Sequence, residues 1–196
     1  GSVVLLAAGQ TLVIISGGID LSVGGILAIS GVTSAWIMSV VLGFDITTSG
    51  PDAYPPLIIG ALTAVGTGLT VGLINAFLIT RLKIVPFVAT LSTMGATLGF
   101  AIIISNGMPI GGPNDFSLIS PINPDWMPLS WAVLGVIIVV TLVGLFLHKS
   151  RFGLHTYAIG SNQFAARAAG INVERHLTKV YALAGALAGL AGFYVY

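Results

Sequence analysis

Not one of the 196 residues is a cysteine, which excludes disulfides and thiolate metal sites. Charge is almost as scarce. Asp, Glu, Lys and Arg make up 7% of the chain, against roughly 25% in an ordinary soluble domain. A soluble fold of this length needs far more polar surface than that. No G-x-x-x-x-G-K-[ST] run occurs, so the chain has no phosphate-cradling loop of that kind. His148, His155 and His176 lack the H-E-x-x-H spacing, and no apolar run holds two carboxylates. These absences argue against an intramembrane protease or a metal enzyme, and no catalytic or metal-binding residue is expected. The net charge is only +1, and no nucleic-acid partner is expected.

What is present is apolar and rich in glycine. Apolar residues reach 56% and glycine accounts for 26 positions, as expected where membrane helices pack backbone to backbone. The composition predicts an all-α, polytopic helical membrane protein embedded in a lipid bilayer. Reading long apolar runs as spans gives about six: Val3–Ile19, Val23–Gly43, Leu57–Thr80, Ile84–Ser105, Leu129–Leu147 and Val180–Tyr196. Arg81 and Lys83 fall in one connection, and Lys149, Arg151, Arg167, Arg175 and Lys179 in or beside another. The alternate connections carry Asp45, Asp52, Asp115 and Asp125 and no base. The positive-inside rule puts the basic connections in the cytoplasm and Trp126 and Trp131 at the outer interface. Residues 1–196 read as one transmembrane domain truncated at both ends, with a cytoplasmic loop over 149–178.

Two segments stand out. In Gly17-Gly18-Ile19-Asp20-Leu21-Ser22-Val23-Gly24-Gly25, four glycines surround one carboxylate between apolar runs. Glycine disfavours helix by about 1 kcal/mol relative to alanine, so the helix should break here, with Asp20 suited to cap a new helix starting at Leu21. A central Asp in a membrane helix costs about 2.5–3.5 kcal/mol on insertion scales, favouring an interfacial or cavity-lining place. Two readings stay open: an ordinary cap in a cytoplasmic turn, or a broken helix lining a transport path or gate through Gly18, Asp20 and Ser22. Among other polar residues within runs, Gln10, Thr11, Asn75, Thr90, Ser92 and Thr93 are candidates for path lining or for interhelical bonds. Gly68-x-x-x-Gly72, Gly95-x-x-x-Gly99 and Gly185-x-x-x-Gly189 each permit close helix approach.

The second segment is the basic loop. Ser161 or Asn162 can cap a short helix over Gln163–Ala169, with Gly170 as its natural C′ residue. Asn172 can cap a following helix that runs into the last span, with Glu174 in its first turn. The result is a compact knob beneath the membrane.

GGIDLSVG (Gly17–Gly24), GLINAFLITRLKIVPFVATLSTM (Gly72–Met94), NGMPI (Asn106–Ile110) and RFGLHTYAIGSNQFAARAAGI (Arg151–Ile171) together resemble the permease subunit of ribose-type bacterial ATP-binding cassette sugar importers. The resemblance runs over essentially the whole chain. It implies an inner-membrane, multi-pass permease for a neutral monosaccharide, working by alternating access, with a separate ATPase subunit, a periplasmic sugar-binding protein and a second permease copy. It also implies no cofactor on this chain, with ATP and Mg held by the ATPase. The contact with that ATPase would fall on Gly160, Asn162, Ala165, Ala166, Arg167, Gly170 and Ile171. The path or gate would involve Gly18, Asp20, Ser22, Asn75 and Thr90. A secondary carrier or channel needing no ATPase is the rival reading, and a related permease for branched-chain amino acids or nucleosides is a nearer one.

Overall fold

A computed structural model describes residues 1–44, 54–108, 110 and 131–195. The expectations for Asp45, Asp52, Asp115, Asp125 and Trp126 lie outside those residues. Every described element is helical: α1 (Ser2–Ile15), α2 (Val23–Trp36, passing into a π-helical turn at Ile37–Val41), α3 (Tyr54–Thr80), α4 (Pro86–Ser105), α5 (Trp131–Lys149), α6 (Arg151–Ser161), α7 (Gln163–Ala168) and α8 (Val173–Phe193).

Local chemistry sets most of the ends. Proline stands at the first position of α4 after an extended Val85, because proline lacks the N–H that this position would leave unbonded and pushes its predecessor out of the helical region. Asn106 and Gly107, with φ of 51° and 70°, turn the chain out of α4, a conformation open mainly to Gly and Asn.

α8 is the central helix, packed on α3, α1 and α2. Its core partners are Leu5, Leu12 and Val13 from α1 and Ala76 and Ile79 from α3, around Tyr181, Ala184 and Leu187. Between α3 and α8 the contact is backbone on backbone. A Cβ added at Gly68 would lie 2.7 Å from the Cα of Gly189, and one added at Gly185 would lie 2.9 Å from the Cα of Gly72. In lipid, where apolar burial alone gives helices little reason to associate, such close approach supplies the van der Waals attraction. Gly95 and Gly99, the third small-residue pair, face open space.

Among the described residues, three helices are long and apolar enough to cross a bilayer, at 23–41, 55–80 and 86–105, and the bent pair α5–α6 can count as a fourth. This stands against about six apolar runs in the sequence. α1 is a shorter apolar helix: its 14 residues cover about 21 Å of a hydrocarbon core about 30 Å thick. α8 begins earlier than its apolar run, at Val173, so its first two turns carry Glu174, Arg175, His176 and Lys179.

One helix is absent from the sequence reading. The stretch 151–161, expected as loop, forms α6, bent 71° from α5 at Ser150. The Ser150 hydroxyl caps it by accepting the Gly153 N–H at 3.3 Å. Gly153, Thr156 and Ile159 form its buried stripe, at the three-residue spacing of a helix face. A Cβ at Gly153 would overlap the Leu147 carbonyl, and one at Gly160 would overlap the Ile15 carbonyl. The glycines that read as loop punctuation are therefore the positions where α6 touches α5 and α1.

Candidate functional site

The basic connections converge at one end of the bundle, around α7. Asn162 is the N-cap, its Oδ1 accepting the N–H groups of Phe164 at 2.9 Å and Ala165 at 3.0 Å. The helix closes with Gly170 N–H donating to the Arg167 carbonyl at 2.9 Å and Ile171 N–H to the Ala166 carbonyl at 3.0 Å. That is the Schellman arrangement, and it requires the positive φ of +83° at Gly170. Asn172 then caps α8 through the Arg175 N–H at 2.9 Å. Ser161, the other candidate cap, is the last residue of α6.

α7 is anchored by one side chain. Ala166 is buried against Ile159 of α6 and Val173 of α8, with Ile171 and Leu177 beside them. Its remaining residues face outward, and Phe164 is 82% exposed. Of the seven residues taken from the resemblance, most build the knob rather than face out of it. Asn162 and Gly170 shape its ends, Ala166 pins it, Ile171 packs beneath it, and Gly160 presses on Ile15 and Gly17. Ala165 and Arg167 are exposed. Phe164 escaped the sequence reading. Its signal was available, as a lone aromatic within a polar, capped, alanine-rich turn.

Charges tie the knob to its surroundings. Glu174 accepts from Arg167 of α7 at 2.9 Å and from Lys83, in the α3–α4 connection, at 3.2 Å. Its own backbone N–H at the start of α8, and then Lys83, hold its carboxyl below the usual range. These exposed pairs contribute little to stability but set register between two connections. They border a cleft of about 320 Å³ that also takes in Gly17, Gly18, Pro86 and Gln163.

His176, in the polar first turns of α8 outside its apolar stretch, locks α6 to α8. Its Nε2 lies 2.8 Å from the Thr156 hydroxyl, whose proton goes to the Phe152 carbonyl at 2.8 Å. Nε2 is therefore the donor. The ring also stacks on Phe152 at 4.7 Å and meets His155 at 5.8 Å. Burial foremost, then the nearby His155 and Lys179, lowers its pKa to about 4. The folded ring is neutral, so unfolding takes up a proton wherever the free imidazole would be charged. Stability contributed by this group is full above pH about 6.5 and is lost as pH falls from there toward 4. The loss should total on the order of 3 kcal/mol. Thermal unfolding at pH 7 and pH 5 should show the wild type losing more than His176→Gln; equal losses would contradict this assignment.

The glycine-rich break leads inward from Gly160. Helix α2 starts at Val23, not Leu21, and Ser22 is its N-cap by position, its side chain making no capping bond to the helix. Asp20 sits two residues too early to cap that helix. Its Oδ1 accepts the Ser22 N–H at 2.8 Å and the Ser22 hydroxyl, a local turn rather than a helix cap. From there the bonds cross the bundle: Asn75 Nδ2 donates to Ser22 Oγ at 2.8 Å, and Thr93 Oγ1 donates to Asn75 Oδ1 at 2.7 Å. The Leu21 N–H donates to Thr90 Oγ1 at 3.1 Å, and Gln10 Nε2 to the Asp20 carbonyl. Asp20, Ser22, Asn75 and Thr90 are all buried and joined in this network, while Gly18 lines the cleft beside Gly17. No cluster of three or more metal-binding side chains occurs among the described residues.

The family model described as "Branched-chain amino acid transport system / permease component" matches residues 1–196. Among curated proteins, the chain is 37% identical to the ribose import permease of Bacillus subtilis (strain 168), over 96% of this chain and 55% of that protein. It is 38% identical to the galactofuranose transporter permease of Escherichia coli (strain K12), over 98% of this chain and 52% of that protein. The fructose import permease FruF of Bifidobacterium longum (strain NCC 2705) is 33% identical over 97% of this chain and 51% of its own length. The chain thus spans about half the length of the curated relatives it matches. No solved structure matches. With a match along its entire length and a small-residue helical bundle to go with it, the chain belongs to the branched-chain amino acid transport system / permease component family.

Proposed function

We propose that this chain is the membrane-crossing part of an ATP-binding cassette importer that carries a neutral monosaccharide into the cytoplasm by alternating access. The observation that carries the reading is the capped, outward-facing α7, pinned by Ala166 and joined to α8 by a four-residue turn over 169–172. A knob with one buried anchor and an exposed remainder is shaped to sit in a partner's groove. A separate ATPase subunit, holding ATP and Mg, is that partner. Its closure pulls α7, and the pull reaches α8 directly and α1 through Gly160 against Ile15 and Gly17. The permease works as a pair of copies in the bacterial inner membrane, with the basic end cytoplasmic and a periplasmic sugar-binding protein on the other side. The ribose, galactofuranose and fructose permeases among the relatives support a sugar over an amino acid as the solute.

Gly170→Val tests the coupling. A β-branched residue at φ +83° is strained by about 1–2 kcal/mol, while the space around it is open and the membrane helices lie elsewhere. In proteoliposomes holding the full-length permease, the ATPase and the binding protein, ATP-dependent uptake of labelled ribose should fall severalfold with insertion unchanged. Uptake without ATP, or uptake indifferent to the substitution, would instead favour a carrier.

A further inference from the structure

Residues 16–22, between α1 and α2, are irregular backbone inside the bundle, and side chains from three surrounding helices bond them. Gln10 Nε2 of α1 donates to the Asp20 carbonyl, and the Leu21 N–H donates to Thr90 Oγ1 of α4 at 3.1 Å. From α8, the Tyr181 hydroxyl donates to the Ile19 carbonyl at 3.4 Å. Away from water, such backbone persists only where its polar groups find partners of this kind. Tyr181 is buried in the cluster that also holds Leu12, Val13 and Ala184. Its bond is the longest of the three and lies beyond the usual span for two oxygens. The hydroxyl also fills the room left by Gly18, where an added Cβ would come within 2.7 Å of it.

The helices before and after α7 both reach this break. From α6, Gly160 presses on the Ile15 carbonyl, and a Cβ added to it would lie 3.4 Å from the Gly17 nitrogen. From α8, Tyr181 meets Gly18 and Ile19. The helix is unbroken from Val173 to Tyr181, a length of about 12 Å at 1.5 Å per residue. A displacement of α7 that carries its two neighbours therefore acts from both sides on residues 15–19.

We propose that Tyr181 is a positioning residue that conveys movement of the knob to the glycine break, its bond to the Ile19 carbonyl tightening or parting as α8 tilts. The inference rests on the importer reading and assigns a transmitting contact within it. The Ile19 carbonyl adjoins Asp20, whose carboxylate holds Ser22 and, through it, Asn75 of α3 and Thr93 of α4. A shift at Ile19 thus bears on α2, α3 and α4 together. A long bond from a stiff, buried ring can be made or lost over a small tilt, because hydrogen bonding weakens steeply with misalignment.

The test uses the full-length importer in proteoliposomes with the ATPase, the binding protein and labelled ribose. Tyr181→Phe keeps the ring and removes the hydroxyl. Ribose moved per ATP hydrolysed should fall about fivefold, within the span by which substitutions along a coupling network act. Gly18→Ala crowds the same hydroxyl and should lower the ratio similarly. The double variant should fall no further than either alone, as expected when both act on one contact. Ser34→Ala is the structural comparator. It removes a buried bond at 2.9 Å from α2 to the Gly60 carbonyl of α3, outside the break. It should lower the melting temperature and leave the ratio unchanged. A Tyr181→Phe protein with an unchanged ratio, or additive losses in the double variant, overturns the proposal. Hydrogen exchange on the wild type gives an arm that needs no variant. Holding the ATPase closed with a non-hydrolysable ATP analogue should change exchange severalfold at the amides of residues 17–22. Identical exchange in the two states overturns the proposal too. Wild type that shows no ATP-dependent ribose or fructose uptake would sink the importer reading itself, a distinct outcome.

Discussion

Gly185→Leu should abolish the folded bundle. A Cβ at this position would overlap the Gly68 carbonyl and lie 3.0 Å from the Gly72 nitrogen. All three obstacles, with the Gly72 Cα at 2.9 Å, are backbone, which cannot rotate aside as a side chain can. Relief requires α3 and α8 to separate along the most extensive contact among the described helices. Overpacking a core typically costs 1–3 kcal/mol and occasionally more. Here, where helix separation also breaks the neighbouring Gly189–Ala64 contact, a loss of more than about 3 kcal/mol is expected. Fluorescence-detected size exclusion and thermal unfolding of the full-length protein in detergent would read it as aggregation or loss of the melting transition. Gly95→Ala is the control. Nothing lies within 4 Å of its added Cβ, and the gain in helix propensity is up to about 1 kcal/mol. A Gly185→Leu protein melting like wild type would refute the backbone-contact account.

On the importer function proposed above, Phe164→Ala should uncouple the ATPase while leaving the permease as stable as before. The ring is 82% exposed and takes no part in the Ile159–Ala166–Val173 cluster, so removing it takes almost nothing from the fold. In a complex, a buried aromatic anchor is commonly worth 2 kcal/mol or more, or about thirtyfold in affinity at 1.4 kcal/mol per tenfold. Titration of the ATPase onto the reconstituted permease should show that weakening, with ATP-dependent uptake reduced in step. The melting temperature should not move. Ala166→Asp would behave differently, because that side chain is buried; it should lose both stability and coupling. Undiminished ATPase binding by Phe164→Ala would show that the ring is not the anchor.

Both predictions depend on which residues meet across space, and that divides what the two levels of description could reach. The class of protein was legible from its scarcity of charge, because a bilayer penalises charge wherever it falls. The ends of α7 and α8 were legible too. Asn162, Gly170 and Asn172 bond to groups within five residues of themselves, and chemistry that local depends on no distant partner. The seven residues drawn from the resemblance cluster about one knob for the same reason. Helix α6 was missed because Gly153 and Gly160 carry opposite meanings by context. Alone they weaken a helix, and against Leu147 and Ile15 they are what lets it pack.

Distance explains the remainder. Three small-residue pairs look alike in sequence, yet only Gly68/Gly72 and Gly185/Gly189 meet, more than a hundred positions apart. Asp20 read as a helix cap because neighbouring glycines made a break inevitable. Its bonding with Ser22, and the path from there to Asn75 and Thr93, became visible only once α2, α3 and α4 stood side by side. Composition and capping are sums over near neighbours, so a helical membrane protein with a capped knob at its basic end could be read from residue order alone. Which glycines touch and where the polar network runs are pairings across the bundle, and they emerge only when the helices are packed together.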